Sequence, residues 1–382
     1  MLKYNQLGEI NMLKYFEVKN YKGFKEGLSI DFSNHRDYTF HKDFIKNNIV
    51  NKGLIYGKNG SGKSNFGLAL FDIVYHLTDK YKPDFNLSYQ NGYSISKPVD
   101  FKYVFVFDND EIEYSYSKAN QLAILSEKLI INGKEVVNYN FRNQDSTKLL
   151  IEEAQTLQLN NMTLRQEQSF IRFVYHNSKL PEGSPLSKLM NFVDKMLWFR
   201  SVKDNQFGGY KEKTDQLANM LETKNAVKDF EKFLLSIDKT LEFSLSVEKD
   251  IYNQKILVAN YPNGVQLPFN NVASTGTLSL WLFYCWALEF ENISFLYIDE
   301  FDAFYHYETA EMILNNINER GNFQSFLSTH NTSLMNNDLI RPDCCFIISD
   351  NKNIRSLPEC TEKEIREAHN LERMYKNGGF TI

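Results

Sequence analysis

The 382 residues are 42% hydrophobic and 24% charged, a balance that excludes a disordered or low-complexity chain. The formal net charge is −5, so the chain lacks the basic surplus of many nucleic-acid-binding domains, although a local basic groove would escape this count. Aromatic residues make up 14%, enough rigid apolar area for a large core and for sticky interfaces.

The most apolar stretch, residues 278–290, carries Ser279 and Glu289 and is too short to span a bilayer. No leader pattern opens the chain. Cys285, Cys344, Cys345 and Cys360 form neither a CxxC pair nor a disulfide framework. A cytoplasmic protein without a membrane partner is expected. Met1-Leu2-Lys3-Tyr4 recurs as Met12-Leu13-Lys14-Tyr15, which suggests Met12 as an alternative start and residues 1–11 as a loose extension.

Residues 13–18 and 27–32 read as a hairpin, with Leu28, Ile30 and Phe32 alternating against polar neighbours. Residues 53–56 form a short apolar strand and 65–77 a helix. After a polar loop over 80–98, residues 99–107 alternate cleanly and begin an antiparallel segment. It continues through 111–116 and 127–137 with a turn at Asn132-Gly133. Residues 140–250 read as mostly helical. Segments 186–199 and 226–241 each gather apolar residues on one face, and 207–210 interrupts the helical pattern. Residues 278–290 read as a buried helix. Residues 293–298 are apolar almost without alternation, as in a central parallel strand. A helix over 309–318 and strands over 323–327 and 344–348 make this end of the chain α/β.

Gly57-Lys58-Asn59-Gly60-Ser61-Gly62-Lys63-Ser64 satisfies G-x-x-x-x-G-K-[ST]. The glycines allow successive N–H groups to turn inward as an anion nest. The helix opened by Asn65 adds its positive end. Lys63 is expected to reach the β- and γ-phosphates of a nucleotide, and Ser64 to ligate Mg2+. The apolar strand ending in Asp299-Glu300 supplies a metal-holding carboxylate, Asp299, and a proton acceptor for attacking water, Glu300. One strand later, His330 can donate to a γ-phosphate. Alone, such a histidine is more often a satisfied loop residue.

With these motifs the chain resembles ABC-type P-loop ATPases of the SMC/RecF/OLD group. Residues 16–24 resemble the group's opening strand and turn. Gly57–Ser64 is similar to its Walker A, and Asp299-Glu300 to its Walker B. Ser274-Thr275-Gly276-Thr277 resembles a degenerate signature motif, Asp302 and His306 fall in a D-loop-like segment, and His330 resembles the switch histidine. The signature form and residues 339–375 resemble the bacterial anti-phage, AAA-type RloC/AbiL-like branch. Gln90 and Gln121 are the candidates for a Q-loop glutamine.

The resemblance implies an α/β fold: an ABC-type P-loop ATPase head with an antiparallel β-subdomain and an inserted helical lid. Its parts would be an N-terminal lobe over 1–99, the inserted β-segment and lid over 100–264, and a C-terminal lobe over 265–382. It implies ATP and Mg2+ as cofactors, hydrolysis of ATP, and a homodimer that sandwiches the nucleotides, with a higher oligomer left open. Ser274, Gly276 and Thr277 would contact the nucleotide held by the other subunit. Few residues follow the last expected strand, which leaves no space for a Toprim or HNH nuclease domain. A separate effector protein, a nuclease or toxin, is therefore the expected partner, and nucleic acid remains open as another. The alternatives are a RecF-like repair ATPase acting directly on DNA, and a nuclease built on His176, Tyr305, His306 and Glu308.

Overall fold

The computed structural model describes residues 11–80, 88–155, 157, 164–200, 206–210, 217–320, 323–350 and 352–381. The expected loose extension lies almost entirely outside them. Strand β1 (Asn11–Lys19) pairs antiparallel with β2 (Leu28–Asp31), as the alternation predicts. Strand β3 (Lys52–Tyr56) is buried along its whole length. The helix expected over 65–77 is two helices, α1 (Lys63–Leu70) and α2 (Asp72–Leu77), with the chain turning at Phe71. The redirected α2 lets the buried Asp72 carboxylate accept from the Tyr89 and Tyr116 hydroxyls and pair with Lys118.

Strands β4 (Val99–Phe107), β5 (Asp110–Lys118), β6 (Ile124–Ile131), β7 (Lys134–Asn140) and β8 (Lys148–Leu149) form the antiparallel segment. With β1 and β2 they make a seven-stranded sheet of order β8-β7-β6-β5-β4-β1-β2. Helices α3 (Phe170–Asn177) and α4 (Pro185–Asp194) follow. Ser184 caps α4 and Pro185 sits in its first turn, where no N–H is missed.

Here the expectation of one helix over 186–199 fails. Helix α4 stops at Asp194, and β9 (Met196–Arg200) is a strand. Met196, Leu197, Trp198 and Phe199 are all buried. A short run that is apolar on every side fits a buried helix and a buried strand equally well in sequence. The parallel partner β14, defined below, decides in favour of the strand. The expected helix breaker at 207–210 is also largely a strand, β10 (Gln206–Gly209), antiparallel to β9. Gly209 has φ 105° there, and a Cβ would overlap the Met196 carbonyl.

Helices α5 (Leu217–Thr223) and α6 (Val227–Ile237) fit the helical expectation. Strands β11 (Ser244–Lys249), β12 (Lys255–Asn260) and β13 (Gln266–Pro268) form a small antiparallel sheet that straddles the end of the segment read as helical. Then come α7 (Thr275–Ala287), β14 (Phe295–Asp299), α8 (Tyr307–Glu319), β15 (Gln324–Thr329), β16 (Cys345–Ile348) and β17 (Ile354–Ser356). The second seven-stranded sheet has the order β10-β9-β14-β15-β3-β16-β17. Its five inner strands are parallel.

Helix α1 lies between the two large sheets. Phe66 packs edge-on against Phe16 of β1 and against Tyr297 of β14, each at 5.9 Å between ring centres. Gln324 ties the sheets again, exchanging hydrogen bonds with both the N–H and the carbonyl of Leu13. The aromatic surplus goes mainly into this core. Trp198, Trp286, Tyr21, Tyr56, Tyr103, Tyr114, Tyr139 and Tyr297 are among the largest fully buried side chains. Among the described residues the well-exposed aromatics are Tyr93, Tyr252 and Phe304, so the aromatic content serves the interior more than an interface.

Lys52 is 2% exposed at the start of β3. Its amine donates to the Phe323 carbonyl at 3.0 Å and stands 4.1 Å from the centre of the Phe323 ring. Burial pushes its pKa from 10.5 down to about 7. Between those values the unfolded chain holds a proton that the folded chain does not. Stability therefore rises with pH across this window, by at most about 1.4 kcal/mol per unit. The penalty is fully present below the lower value. Lys52→Met is expected to remove this contribution, read as a flatter dependence of the urea midpoint between about pH 7.5 and about pH 9.5. Identical slopes for the two proteins would show that Lys52 stays charged.

Candidate nucleotide site

The C-terminal ends of the parallel strands β9, β14, β15 and β3 point to one edge of the sheet, where open α/β folds place their ligands. After β3 the chain turns through Gly57–Ser64 into α1. A Cβ on Gly57 would overlap the Ser61 hydroxyl and stand 3.0 Å from the Ile348 carbonyl. Gly60 and Gly62 have φ of 77° and 119°, and Gly62 packs against the Phe24 ring. Lys58, Asn59 and Gly60 are exposed, Ser61 and Lys63 are buried, and Ser64 and Asn65 are half-buried.

The Lys63 amine donates to the Gly57 carbonyl at 2.8 Å and to His330 Nε2 at 2.8 Å. An ammonium has no acceptor, so this ring nitrogen accepts. Burial lowers the Lys63 pKa, while Glu300, Asp299 and Asp302 pull it back up.

Asp299 ends β14 fully buried. Its Oδ1 accepts from the Ser328 hydroxyl at 2.7 Å, and the Ser328 oxygen accepts from the Glu300 N–H at 2.8 Å. Glu300 has φ 49°, a left-handed conformation that a non-glycine residue keeps only when its surroundings hold it. Three successive residues of β15 and the loop after it thus each meet one acid. Ser328 holds Asp299, Thr329 donates to Asp302 at 2.7 Å, and His330 Nε2 lies 3.6 Å from Glu300. Burial raises the Asp299 pKa, against the opposing pull of the Ser328 and Ser64 hydroxyls and of Arg200. Its Oδ2 is buried without a hydrogen-bond partner among the described residues. A hard cation prefers oxygen donors, and this orphaned oxygen, on a carboxylate that the Ser64 hydroxyl also reaches, fits Mg2+.

Ser274, Gly276 and Thr277 form a separate group. Ser274 caps α7 by accepting from the Thr277 N–H at 3.1 Å. Ser274 and Thr275 are exposed. A Cβ on Gly276 would come within 2.9 Å of the Phe304 carbonyl, and the Ser279 and Tyr305 hydroxyls bond at 2.6 Å. The end of α7 therefore packs on residues 302–306, which hold the D-loop-like Asp302 and His306. No described hydrogen bond or ion pair joins Ser274, Gly276 or Thr277 to Lys63, Asp299, Glu300 or His330.

Gln90 donates to the carbonyls of Ile95 and Ala119, within the loop that Asn91 ties to Lys22. Gln121 lies in the turn before β6. The residue standing beside Asp299 at the end of the adjacent strand is Arg200. The nuclease candidates His176 on α3 and His306 at the start of α8 sit on separate elements. Among the described residues no three His, Cys, Asp or Glu side chains gather as a metal site.

The turn between β16 and β17 contributes a brace that no sequence motif announces. Lys352 donates to the carbonyls of Gly60 and Ser61, each at 2.8 Å, and Asp350 pairs with Lys58 at 3.1 Å. Because β16 is the parallel neighbour of β3, this turn sits beside the phosphate loop. Lys352→Met is expected to speed amide hydrogen exchange across residues 57–64 by about fivefold, the loss of one net hydrogen bond of about 1 kcal/mol, with global stability nearly unchanged. Unaltered exchange there would show that the brace does not hold the loop.

Solved structures similar to this chain include the SMC head domain from Thermotoga maritima, at 15% identity, 88% of this chain, 94% of that chain and a TM-score of 0.38. An Smc head bound to the C-winged helix domain of ScpA shares 15% identity over 90% of this chain and 97% of that chain, with a TM-score of 0.45. An Smc head with an extended coiled coil, bound to the C-terminal domain of ScpA derived from Pyrococcus furiosus, shares 15% identity over 91% and 96%, with a TM-score of 0.40. No curated protein matches. Residues 54–336 match a family model described as "AAA domain, putative AbiEii toxin, Type IV TA system". That span runs from the phosphate-loop strand past His330, and the chain, with its α/β P-loop fold, belongs to this family.

Proposed function

We propose that the chain binds and hydrolyses ATP with Mg2+, closes as a homodimer around two nucleotides, and serves as sensor or scaffold for a separate nuclease or toxin in bacterial anti-phage defence. One observation carries the reading. Lys63, the adjacent pair Asp299-Glu300, and His330 come from three separate segments of the chain, yet they meet at one end of the parallel sheet through direct contacts and a shared serine.

The backbone N–H groups from Gly57 to Asn65 would cradle the phosphates, and Lys63 would exchange the Gly57 carbonyl and His330 for phosphate oxygens. Ser64 and Asp299 would hold Mg2+, which supplies charge neutralisation between the β- and γ-phosphates. Glu300, fixed in its left-handed turn by Ser328, would accept the proton of the attacking water. His330 would donate to the γ-phosphate once Lys63 releases it. The exposure of Ser274 at the head of α7 supports a contact with the nucleotide of a second copy. Gly276 and Thr277 would share that contact. The family's toxin description supports the defence setting.

Glu300→Gln is expected to lower ATP turnover by about 10²- to 10⁴-fold while leaving ATP binding in place. Light scattering should then show a dimer that persists with ATP and disperses with ADP. Undiminished turnover would remove Glu300 from its role, and a monomer at every nucleotide concentration would remove the sandwich. Lys63→Ala is expected to abolish ATP binding; wild-type affinity would refute the phosphate-loop assignment. For the effector, the Glu300→Gln protein is the bait in pull-downs from phage-infected and uninfected cells. A nuclease or toxin retained only with ATP supports the scaffold role, and its absence from both counts against it.

A further inference from the structure

Arg200 ends β9 in register with Asp299 of the parallel strand β14. Parallel register sends the two side chains to the same side of the sheet at its ligand-binding edge. Arg200 Nη1 lies 3.7 Å from Asp299 Oδ2, the oxygen that is buried without a hydrogen bond among the described residues. The guanidinium carbon stands 5.8 Å from the centre of the Trp198 ring, two residues earlier on the same face of β9. The Arg200 side chain is only 18% exposed.

A permanent cation thus stands against the one oxygen that the proposed Mg2+ site needs. Two cations do not share a single carboxylate oxygen without mutual repulsion, so metal binding there requires the guanidinium to withdraw. Its neighbours fix where it can go. Trp198 flanks its face, and β14 blocks retreat into the sheet. The strand ends of β9 and β14 lie at the edge of the sheet where open α/β folds place their ligands, and a nucleotide held there would bring its phosphates within the reach of this side chain. A guanidinium fork matches phosphate oxygens as well as it matches a carboxylate.

We propose that Arg200 is the nucleotide-sensing residue of this site. It neutralises Asp299 before nucleotide binds and turns to the γ-phosphate in the loaded site, where Asp299 would hold Mg2+, so that it separates ATP from ADP. This rests on the nucleotide site proposed above. The competing role is a static one, in which Arg200 only offsets the charge of a buried carboxylate. Static neutralisation bears on Asp299 alike with either nucleotide. A γ-phosphate contact bears on ATP alone.

The experiment measures the affinity of the full chain for fluorescent ATPγS and fluorescent ADP, each with Mg2+, in the wild type, Arg200→Ala, Arg200→Lys and Arg200→Gln. Arg200→Ala is expected to weaken ATPγS binding about 10- to 100-fold, the value of one charged hydrogen bond, while ADP affinity stays within about twofold. Arg200→Lys should recover part of the ATPγS affinity, since it keeps the charge without the fork. If Arg200→Ala does not fold, Arg200→Gln should show the same selective loss. Equal weakening of both nucleotides, or of neither, would overturn the sensing role. A wild type that binds neither nucleotide would instead sink the site itself.

Discussion

The Tyr297 hydroxyl donates to the Lys63 carbonyl at 3.0 Å, and its ring fills the space that Gly67 leaves by having no side chain. This contact joins the acidic strand to the helix that follows the phosphate loop. A Cβ on Gly67 would lie 2.5 Å from the Tyr297 ring, so α1 can settle on β14 only because a glycine sits there. From this seating the rest follows. Phe66 is pressed between the two sheets, the start of α1 faces the end of β14, and Lys63 is brought to His330. The site is a consequence of how one helix packs on one strand.

That packing concentrates charge in a place that burial penalises. Asp299 is fully enclosed and Lys63 nearly so, and burial pushes each toward its neutral form. The protein answers with polar partners of limited reach: the Ser328 and Ser64 hydroxyls for Asp299, the Thr329 hydroxyl for Asp302, and a ring nitrogen with a carbonyl for Lys63. None of these satisfies the group as fully as a phosphate or a metal would. Incompletely compensated buried charge lowers the stability of a fold and raises the gain on binding a ligand that completes it. Lys52 gives the contrast. It too is buried and depressed in pKa, but it lies at the opposite end of β3 from the phosphate loop, where burial carries a cost that the proposed nucleotide would not repay.

The parts legible in sequence are those whose cause is local. The phosphate loop announces itself because its glycines must adopt φ values that other residues avoid. Strands β4 to β7 announce themselves because one face is wet, so polar and apolar residues alternate. Strand β14 is readable because both its faces are covered. Strand β9 is not. Its four apolar residues continue the pattern of α4, and only pairing with β14 makes them a strand. Lys352 and Arg200 are invisible for a related reason. Each acts through adjacency of strands, β16 beside β3 and β9 beside β14, and no spacing within the chain records which strands lie side by side.

The same adjacency explains why three consecutive residues, at the end of β15 and just after it, each lie beside one acid. Ser328, Thr329 and His330 follow one another where β15 leaves the sheet, and Asp299, Glu300 and, after Phe301, Asp302 stand where its parallel neighbour β14 leaves it. Parallel strands end side by side, so the two short segments face each other across a single strand spacing. Ser328 then has one proton to give and gives it to Asp299, which leaves its oxygen to receive the Glu300 N–H. One hydroxyl thereby fixes both the acceptor state of a buried carboxylate and the strained turn of the residue beside it. A movement of Asp299 toward a metal would pull on Ser328, and through Ser328 on the backbone of Glu300. Two hydrogen bonds through one hydroxyl thus link the Asp299 carboxylate to the backbone of Glu300, so the two acids would shift together in any rearrangement at the end of β14.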